Sequence, residues 1–305
     1  MLPTKQSAKF DTIGLIGRQG KPLVADSLCR VARLIRDKNR ELVVESQSAV
    51  SLKGVSGFSV CERQELGALC DLLIVVGGDG SLLGVARDLA SSGLPVLGVN
   101  RGGLGFLSAI SPEHIDTQVS EVLDGSCYAE DHFLLDMRML RNGKQLAATP
   151  AMNDVVLHSG TMSRMLEFAL YVNDELVYEQ RSDGIIVASP TGSTAYALSA
   201  GGPIMHPNLD AIVVVPMFPH TLTSRPLVIR GDSEIKLIVK EASTTTPQVS
   251  CDSQVDLDLQ VGDELIIKKY KYPLKLVYPM QHNFYESCRS KLDWASRLGN
   301  SSRSF

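Results

Sequence analysis

The segment Leu72–Ser81 constrains the fold of this chain most strongly, because an unbroken apolar run ends directly in glycines and a carboxylate. Its sequence is LLIVVGGDGS. The apolar run is typical of a buried parallel strand, and the glycines after it permit positive φ angles and a close approach of the backbone. A helical pattern begins at Ser81, so free N–H groups at the start of that helix would point at the loop. The segment therefore predicts an anion site, and phosphate is the anion that fits it best.

A simpler interpretation of this loop is a tight strand-to-helix turn in which Asp79 only caps the helix. A cap of that kind needs one Asp and at most one Gly, so Gly77, Gly78 and Gly80 around a single carboxylate favour phosphate binding. The loop lacks the Lys of a Walker A motif, and it also lacks the glycine spacing of a Rossmann fingerprint. A different class of phosphate-binding loop is expected.

Length, charge and residue usage restrict the functional classes open to the chain. Its 305 residues, 44% of them apolar, suffice for two domains with cores of their own. A formal net charge of −4 argues against a nucleic-acid partner, since phosphate-backbone binding requires a basic face. The six cysteines and six histidines show no metal-ligand spacing, so we expect reduced thiols and no metal site. No membrane span or secretory leader is evident, and we expect a cytoplasmic protein without membrane partners.

The pattern of the sequence changes once along the chain and predicts two kinds of domain. Over residues 1–131, β-rich runs alternate with amphipathic helices, which predicts an α/β domain with a doubly wound, Rossmann-like parallel sheet. Ligands bind at the carboxyl ends of such strands, where Asp79 stands. Over residues 132–280, short strands follow one another, and Arg141–Lys144 has the signature of a hairpin turn. We expect a mainly β domain there, a sandwich or multi-layer sheet, and a tail over 281–305 that packs back on the first domain.

Three further segments carry polar groups where a ligand would meet them. A second glycine-rich loop, Asn100–Leu107, is either a flexible crossover or a ligand contact, and its place after a strand favours contact. The pair Asn153–Asp154 is either an ordinary turn before a strand or a pair of groups directed into a cleft. The segment Asp183–Pro203 offers hydroxyl and backbone donors before a short helix, unless its Ser and Thr residues are only caps. Within it, Tyr196 supplies a ring for stacking on a nucleobase and Asp183 supplies a carboxylate.

Four ordered segments together resemble the NAD kinases, in particular the bacterial enzymes of Gram-negative type. They are GGDGS at Gly77–Ser81, the pair Asn153–Asp154, DGIIVASPTGSTAYALSAGGP at Asp183–Pro203 and PMFPHTLTSRPLVI at Pro216–Ile229. The shared pattern runs from about Ile13 to Trp294. The resemblance implies transfer of the γ-phosphoryl group of ATP to the 2′-hydroxyl of the adenosine ribose of NAD, which gives NADP.

The resemblance also implies roles for individual residues. It makes Asp79 the general base for the ribose hydroxyl, and leaves open a role for Asp79 in holding Mg²⁺ through a bridging water. Asn153 and Asp154 would bind adenosine and ribose hydroxyls or the nicotinamide amide, although many relatives carry Glu in place of Asp154. The NAD- or nucleotide-binding residues that it implies are Gly77, Gly78, Asp79, Gly80, Asn153, Asp154, Arg164, Arg181, Asp183, Thr194, Ala195, Tyr196, Ala197, Leu198, Ser199 and Gln254.

The sequence also leads to expectations about a divalent ion, about oligomeric state and substrates, and about two alternative functions. Since no Lys lies in a nucleotide-binding motif, Mg²⁺ or another divalent cation is expected to offset much of the charge of the ATP triphosphate. Family members of this type are homo-oligomers, so a dimer or tetramer is expected, with NAD and ATP as small-molecule substrates. One alternative is a kinase with the same loop that acts on a lipid or a sugar phosphate, against which Asn153–Asp154 argues. The other is a non-catalytic NAD or NADP sensor, against which an intact Asp79 argues.

Overall fold

The structure is a computed structural model of the chain, and it describes residues 10–101, 105–160, 165–242, 246–292 and 294. The contacts within the chain divide it into two compact units. The first unit consists of the chain up to Asp131 together with the chain from Leu274 onward, and the second unit consists of His132–Pro273.

The elements alternate between strands and helices in the early part of the chain and are almost all strands in the middle. The strands are β1 (Thr12–Gly17), β2 (Glu41–Glu45), β3 (Ser59–Cys61), β4 (Leu72–Gly77), β5 (Val96–Asn100), β6 (Cys127–His132), β7 (Leu135–Arg141), β8 (Lys144–Ala151), β9 (Asp154–His158), β10 (Leu166–Val172), β11 (Glu175–Ser182), β12 (Gly184–Ala188), β13 (Ala211–Met217), β14 (Leu227–Arg230), β15 (Ile235–Ala242), β16 (Gln248–Cys251), β17 (Val255–Asp258), β18 (Glu264–Lys269) and β19 (Leu274–Pro279). The helices are α1 (Pro22–Asp37), α2 (Ser46–Ala49), α3 (Leu66–Leu69), α4 (Asp79–Leu89), α5 (Ser120–Leu123), α6 (Tyr196–Ser199) and α7 (Phe284–Lys291). Short 3-10 turns lie at Arg63–Glu65, Ala90–Ser92, Pro112–His114 and Gly192–Thr194, and a π-helical turn lies at Ile115–Val119.

The first unit is built on a seven-stranded sheet of order β3-β2-β1-β4-β5-β19-β6. Neighbouring strands from β3 to β19 run parallel, which confirms the predicted α/β class. Helix α1 buries one apolar stripe, including Leu28 and Ile35, in the same core as the strand residues Leu15 and Ile74. Because β4 is a central strand and all six of its residues are buried, its carboxyl end is held firmly where the GGDG loop begins.

The second unit contains two six-stranded sheets whose assigned strand pairs are antiparallel, and it confirms the predicted mainly β class. Their orders are β11-β10-β15-β18-β7-β8 and β14-β13-β12-β9-β16-β17. One apolar core joins the two sheets, with Phe168 and Leu237 from the first packed in the same cluster as Leu157 and Val187 from the second. The predicted hairpin joins β7 to β8, where Asn142 (φ 53°) and Gly143 (φ 74°) adopt the left-handed region that a two-residue turn requires.

The chain returns to the first unit at its end, earlier than the sequence pattern indicates. Residues 274–280 were expected in the second domain, yet Leu274–Pro279 forms β19 beside β5, because its apolar side chains are buried in the parallel sheet. Helix α7 follows, and the side chain of Asn283 accepts the N–H groups of Tyr285 at 2.9 Å and Glu286 at 3.2 Å as its N-cap. The hydroxyl of Tyr128 also donates to the carbonyl of His282 at 3.2 Å.

Candidate active site

The loop after β4 places the carboxylate of Asp79 in the first turn of α4. The helix begins at Asp79 itself rather than at Ser81, with Gly78 as an extended N-cap residue (φ −92°, ψ 179°). None of the three loop glycines adopts a positive φ, so the positive φ angles that glycine permits are not used in this loop. The structure instead explains the glycine at position 77 by the close approach of Ser81, because a Cβ on Gly77 would lie 2.4 Å from the Oγ of Ser81.

The segment after β5 holds the Asp79 carboxylate. Its Oδ2 accepts the N–H groups of Phe106 at 2.6 Å and Leu107 at 3.2 Å, and its Oδ1 accepts the hydroxyl of Ser108 at 3.3 Å. A Cβ on Gly105 would lie 2.3 Å from Asp79 Oδ1, so the residue there must be glycine. A carboxylate offers about four lone-pair sites, and donors among the described residues engage three of them. The second glycine-rich loop thus contacts the proposed base, although its residues 102–104 lie outside the described chain.

In the second unit, strand pairing brings the starts and ends of β9, β12 and β16 together. Ala188 pairs with Asp154, and Cys251 pairs with Val155. The turn after β16 therefore lies against the start of β9. There the carboxylate of Asp252 accepts three backbone N–H groups, from Met152 at 2.9 Å, Asn153 at 2.7 Å and Asp154 at 3.2 Å. The sequence reasoning chose Gln254 from this turn and missed Asp252, although a carboxylate directly after a predicted strand was a usable signal.

Asp154 is turned inward, so the pair Asn153–Asp154 is more than an ordinary turn. The residue is 2% exposed. Burial, and to a smaller extent the negative charge of Asp252, raise the pKa of its carboxyl to about 7, while a hydrogen bond from the N–H of Tyr196 acts in the opposite direction. Close packing also fixes Asn153, because a Cβ on Gly192 would lie 1.9 Å from the Asn153 carbonyl oxygen. A buried carboxyl with a pKa near neutrality is typical of functional sites.

The hydroxyl groups after β12 brace the loop that carries them. Ser189 Oγ donates to the carbonyl of Met152 at 2.6 Å, and Ser193 Oγ donates to the carbonyl of Pro190 at 2.6 Å. Thr194 Oγ1 donates to the carbonyl of Thr191 at 3.1 Å. These three hydroxyls are therefore engaged by backbone carbonyls, and none of them is a side-chain cap of the 3-10 turn Gly192–Thr194 or of α6. In α6, the residue Tyr196 is 43% exposed and Ala197 is buried.

A cavity of about 380 Å³ lies on the face of the sheet that carries Val156 and His158. Its lining includes two predicted site residues, Asp183 and Tyr196. The other lining residues are Val156, His158, Ser159, Gly160, Met217, Phe218, Ser250 and Ser253. Burial lowers the pKa of His158, with the charge of Asp256 acting in the opposite direction, and its Nδ1 accepts the N–H of Gly160 at 3.1 Å. The cavity thus combines a carboxylate, an aromatic ring and hydroxyls, a lining suited to a nucleoside.

Several predicted site residues stand apart from this cavity. Arg181 is on β11, is largely exposed, and lies 3.9 Å from the carboxylate of Glu167. Gln254 is exposed in the turn between β16 and β17, and its N–H donates to the carbonyl of Cys251 at 3.0 Å. Ala195 precedes α6, Leu198 and Ser199 lie within it, and none of the three lines the cavity. Arg164 lies outside the described residues.

No group of three or more His, Cys, Asp and Glu side chains in the described part of the chain is arranged to hold a metal ion. None of the helices seen there combines the length and the apolar character that crossing a bilayer demands.

Comparisons with known proteins agree over nearly the whole chain. Residues 13–127 match the ATP-NAD kinase N-terminal domain, and residues 152–278 match the ATP-NAD kinase C-terminal domain. The chain is 50% identical over 293 residues to an NAD kinase of Marinobacter nauticus, covering 96% of this chain and 99% of that one. It is 52% identical over 291 residues to an NAD kinase of Teredinibacter turnerae, covering 95% and 99%.

Two solved structures share the fold. One is yeast NADH kinase complexed with NADH, with a TM-score of 0.85 and 23% identity over 98% of this chain and 90% of that one. The other is an NAD kinase from Archaeoglobus fulgidus in complex with ATP, with a TM-score of 0.72 and 23% identity over 92% and 98%.

Proposed function

The chain belongs to the NAD kinase family and is an ATP-dependent NAD kinase, and on that premise we propose how its residues divide the reaction. In the first unit, the GGDG loop binds the phosphates of ATP and Asp79 is the general base. In the second unit, the cavity beside Tyr196 and Asp183 binds NAD. The observation that carries this proposal is the Asp79 carboxylate, which stands at the carboxyl end of β4 in the first turn of α4 and is held by three donors.

Asp79 takes the proton of the adenosine-ribose 2′-hydroxyl as that oxygen attacks the γ-phosphorus of ATP. The bond from the γ-phosphorus to its bridging oxygen breaks, and ADP leaves with the electron pair. A positioned base of this kind contributes roughly 10²- to 10⁴-fold to the rate. The donors from Phe106, Leu107 and Ser108 fix the carboxylate in place.

Mg²⁺ enters with the triphosphate as part of the ATP substrate. Mg²⁺ in phosphoryl-transfer sites is typically held by one or two carboxylates, substrate phosphates and water rather than by a protein cage. Asp79 fits that pattern as an alternative to its role as base, because its carboxylate stands at the loop proposed to bind the phosphates and would hold the ion through a bridging water. When bound, the ion neutralises phosphate charge.

NAD binding in the second unit rests on three groups. We assign the ring of Tyr196 to stacking, and Asn153 and Asp154 to hydroxyl groups of the ligand, because Asp154 is buried beside the N–H of Tyr196. Gly77, Gly78, Gly80, Asp183 and the segment Thr194–Ser199 complete the proposed contacts. Arg164, Arg181 and Gln254 remain in the proposed set on the family resemblance alone.

The protein is proposed to work as a homo-oligomer in the cytoplasm. Edge strand β14 leaves Val228 exposed, and the loop before it exposes Phe218 and Leu222, the latter at 92%. An exposed apolar patch beside an open sheet edge is a typical subunit contact. The six cysteines, all in the described part of the chain, are thiols rather than members of disulfides, which suits a reducing compartment. Light scattering at several protein concentrations tests the assembly, and a monomer at every concentration would contradict it.

Product identification tests the proposed function. The purified protein is incubated with NAD, ATP and Mg²⁺, and NADP is measured with an NADP-specific dehydrogenase. We expect NADP at a rate that depends on all three components and is abolished by EDTA. NAD binding without any NADP would point instead to a sensor, and an unchanged rate in EDTA would remove the divalent ion from the proposal.

A further inference from the structure

A polar cavity of about 500 Å³ lies beside Asp79 within the first unit. Asn100 at the end of β5 and Ser108 line one side, and His282, Asn283, Ser290 and Lys291 line the side formed by α7 and the turn before it. Ser108 is also a donor to the Asp79 carboxylate. The cavity and the proposed base therefore share a wall.

Lys291 brings a positive charge to this wall. Its Nζ lies 5.3 Å from the centre of the Phe106 ring, and the N–H of Phe106 is the shortest donor to Asp79, at 2.6 Å. Burial lowers the pKa of Lys291, while the charge of Asp79 acts in the opposite direction, so the ammonium group is partly desolvated and within the electrostatic influence of that carboxylate.

The ammonium group of Lys291 has no direct ionic partner among the described residues. No carboxylate in the described part of the chain forms a salt bridge with it. The acidic residue in the cavity lining, Glu286, is exposed, and burial holds the pKa of His282 low, at about 4, so His282 is neutral near pH 7. A half-buried cation facing a polar cavity is suited to an anion that arrives from solution.

We propose that Lys291 binds the terminal phosphates of the nucleoside triphosphate in this cavity, a role that rests on the proposed function. Phosphoryl transfer needs positive charge beside the transferred group, and the loop Gly77–Gly80 contains no Lys or Arg. Lys291, at the last residue of α7, supplies that charge from the opposite end of the chain. In this proposal the ammonium group of Lys291 contacts the phosphates of ATP, and the carboxylate of Asp79 contacts the ribose hydroxyl of NAD. The two charged side chains therefore act on different substrates.

Substitution of Lys291 separates this role from a structural one. Lys291→Met removes the charge, Lys291→Gln keeps a polar group, and Lys291→Arg keeps the charge. Arg289→Met is the matched control, because Arg289 is an exposed cation on the same helix. The readouts are the KM for ATP, the KM for NAD, kcat, and binding of inorganic tripolyphosphate measured by calorimetry on the full chain.

We expect Lys291→Met and Lys291→Gln to raise the KM for ATP roughly tenfold or more, since hydrogen bonds to charged groups contribute on this scale. Both should weaken tripolyphosphate binding similarly and leave the KM for NAD within about twofold, and Lys291→Arg should recover most of the loss. The proposal is overturned if tripolyphosphate binding and the KM for ATP match those of Arg289→Met. A fall in kcat alone would equally overturn it. Wild-type protein that makes no NADP would instead remove the proposed function, while tripolyphosphate binding would still test Lys291.

Discussion

The Oδ2 oxygen of Asp79 accepts the backbone N–H of Phe106 at 2.6 Å, which ties the first turn of α4 to the segment after β5. The segments that follow two neighbouring strands, β4 and β5, are thereby joined around the proposed base. The carboxylate needs no side-chain cation to be oriented, because backbone donors fix it. This arrangement leads to two predictions about catalysis, and the buried titratable groups lead to two about stability.

Asp79→Asn should lower kcat by roughly 10²- to 10⁴-fold, because the amide has nearly the shape of the carboxylate but does not take the ribose proton. Its oxygen still accepts from the backbone of Phe106, so the fold and NAD binding should be retained. Steady-state NADP formation and calorimetric titration with NAD measure the two quantities. Asp37→Asn, at an exposed position at the end of α1, is the control and should leave kcat unchanged. Near wild-type turnover by Asp79→Asn would show that Asp79 is not the base.

Gly105→Ala should reduce kcat more than Ser108→Ala does. The added Cβ would meet Asp79 Oδ1 at 2.3 Å, so either the carboxylate or the loop must move. Ser108→Ala removes only the longest of the three donors, at 3.3 Å, and inserts no bulk. Kinetic measurement of both variants, with circular dichroism to verify folding, checks the order. Equal activity in Gly105→Ala and wild type would mean that the observed position of Asp79 does not matter for turnover.

Asp154 should make the protein less stable as the pH rises toward neutrality. Burial and the charge of Asp252 raise its pKa from 3.8 to about 7. Between these values the native protein binds more protons than the unfolded chain, so the free energy of unfolding falls with rising pH and levels off above about 7. Relative to wild type, Asp154→Asn should gain stability across that window, as measured by urea unfolding at several pH values. The control Asp256→Asn, at an exposed site, should follow wild type, and a constant difference between Asp154→Asn and wild type would contradict the assignment.

His282 should make the protein less stable as the pH falls below about 6.5. Burial, with a smaller contribution from the charge of Lys291, lowers its pKa from 6.5 to about 4, and its ring stacks on Tyr278 with the ring centres 4.3 Å apart. The unfolded chain therefore binds the extra proton between pH 6.5 and about 4, and stability is lost as the pH falls through that window. His282→Gln should lose less stability there than wild type does. His220→Gln, at an exposed position, should behave like wild type, and parallel unfolding curves for all three proteins would refute the prediction.

The sequence was most informative where a local pattern has one physical meaning. Strand β4 lies where the apolar run at the start of Leu72–Ser81 predicted a buried strand, because a continuous apolar run that ends in glycine is typical of such strands. Only the hairpin turn before it indicated strand β8, because most residues of β8 are exposed or half-buried and show no apolar alternation. Strand β19 was assigned to the wrong domain, because no local pattern indicates which sheet a strand joins.

Within the site, too, local sequence patterns predicted some residues, and others depend on contacts between distant segments. Asp79 and its glycines were found because the carboxylate and the strand end that positions it are adjacent in sequence. Asp252 was missed because its function depends on N–H groups up to 100 residues away, brought to it by the pairing of β16 with β9. The charge of Lys291 beside Phe106 likewise arises only once β19 has carried the chain back to the first unit.

By itself, the sequence determined the fold class, the family and the position of the proposed base, because these depend on periodicity and on contiguous motifs. The tertiary structure alone decided which polar groups hold that base, which carboxylates share a buried site and which cation lies near the GGDG loop. Hydrogen bonds and desolvation act over a few ångströms in space, so they depend on which distant segments the fold brings into contact.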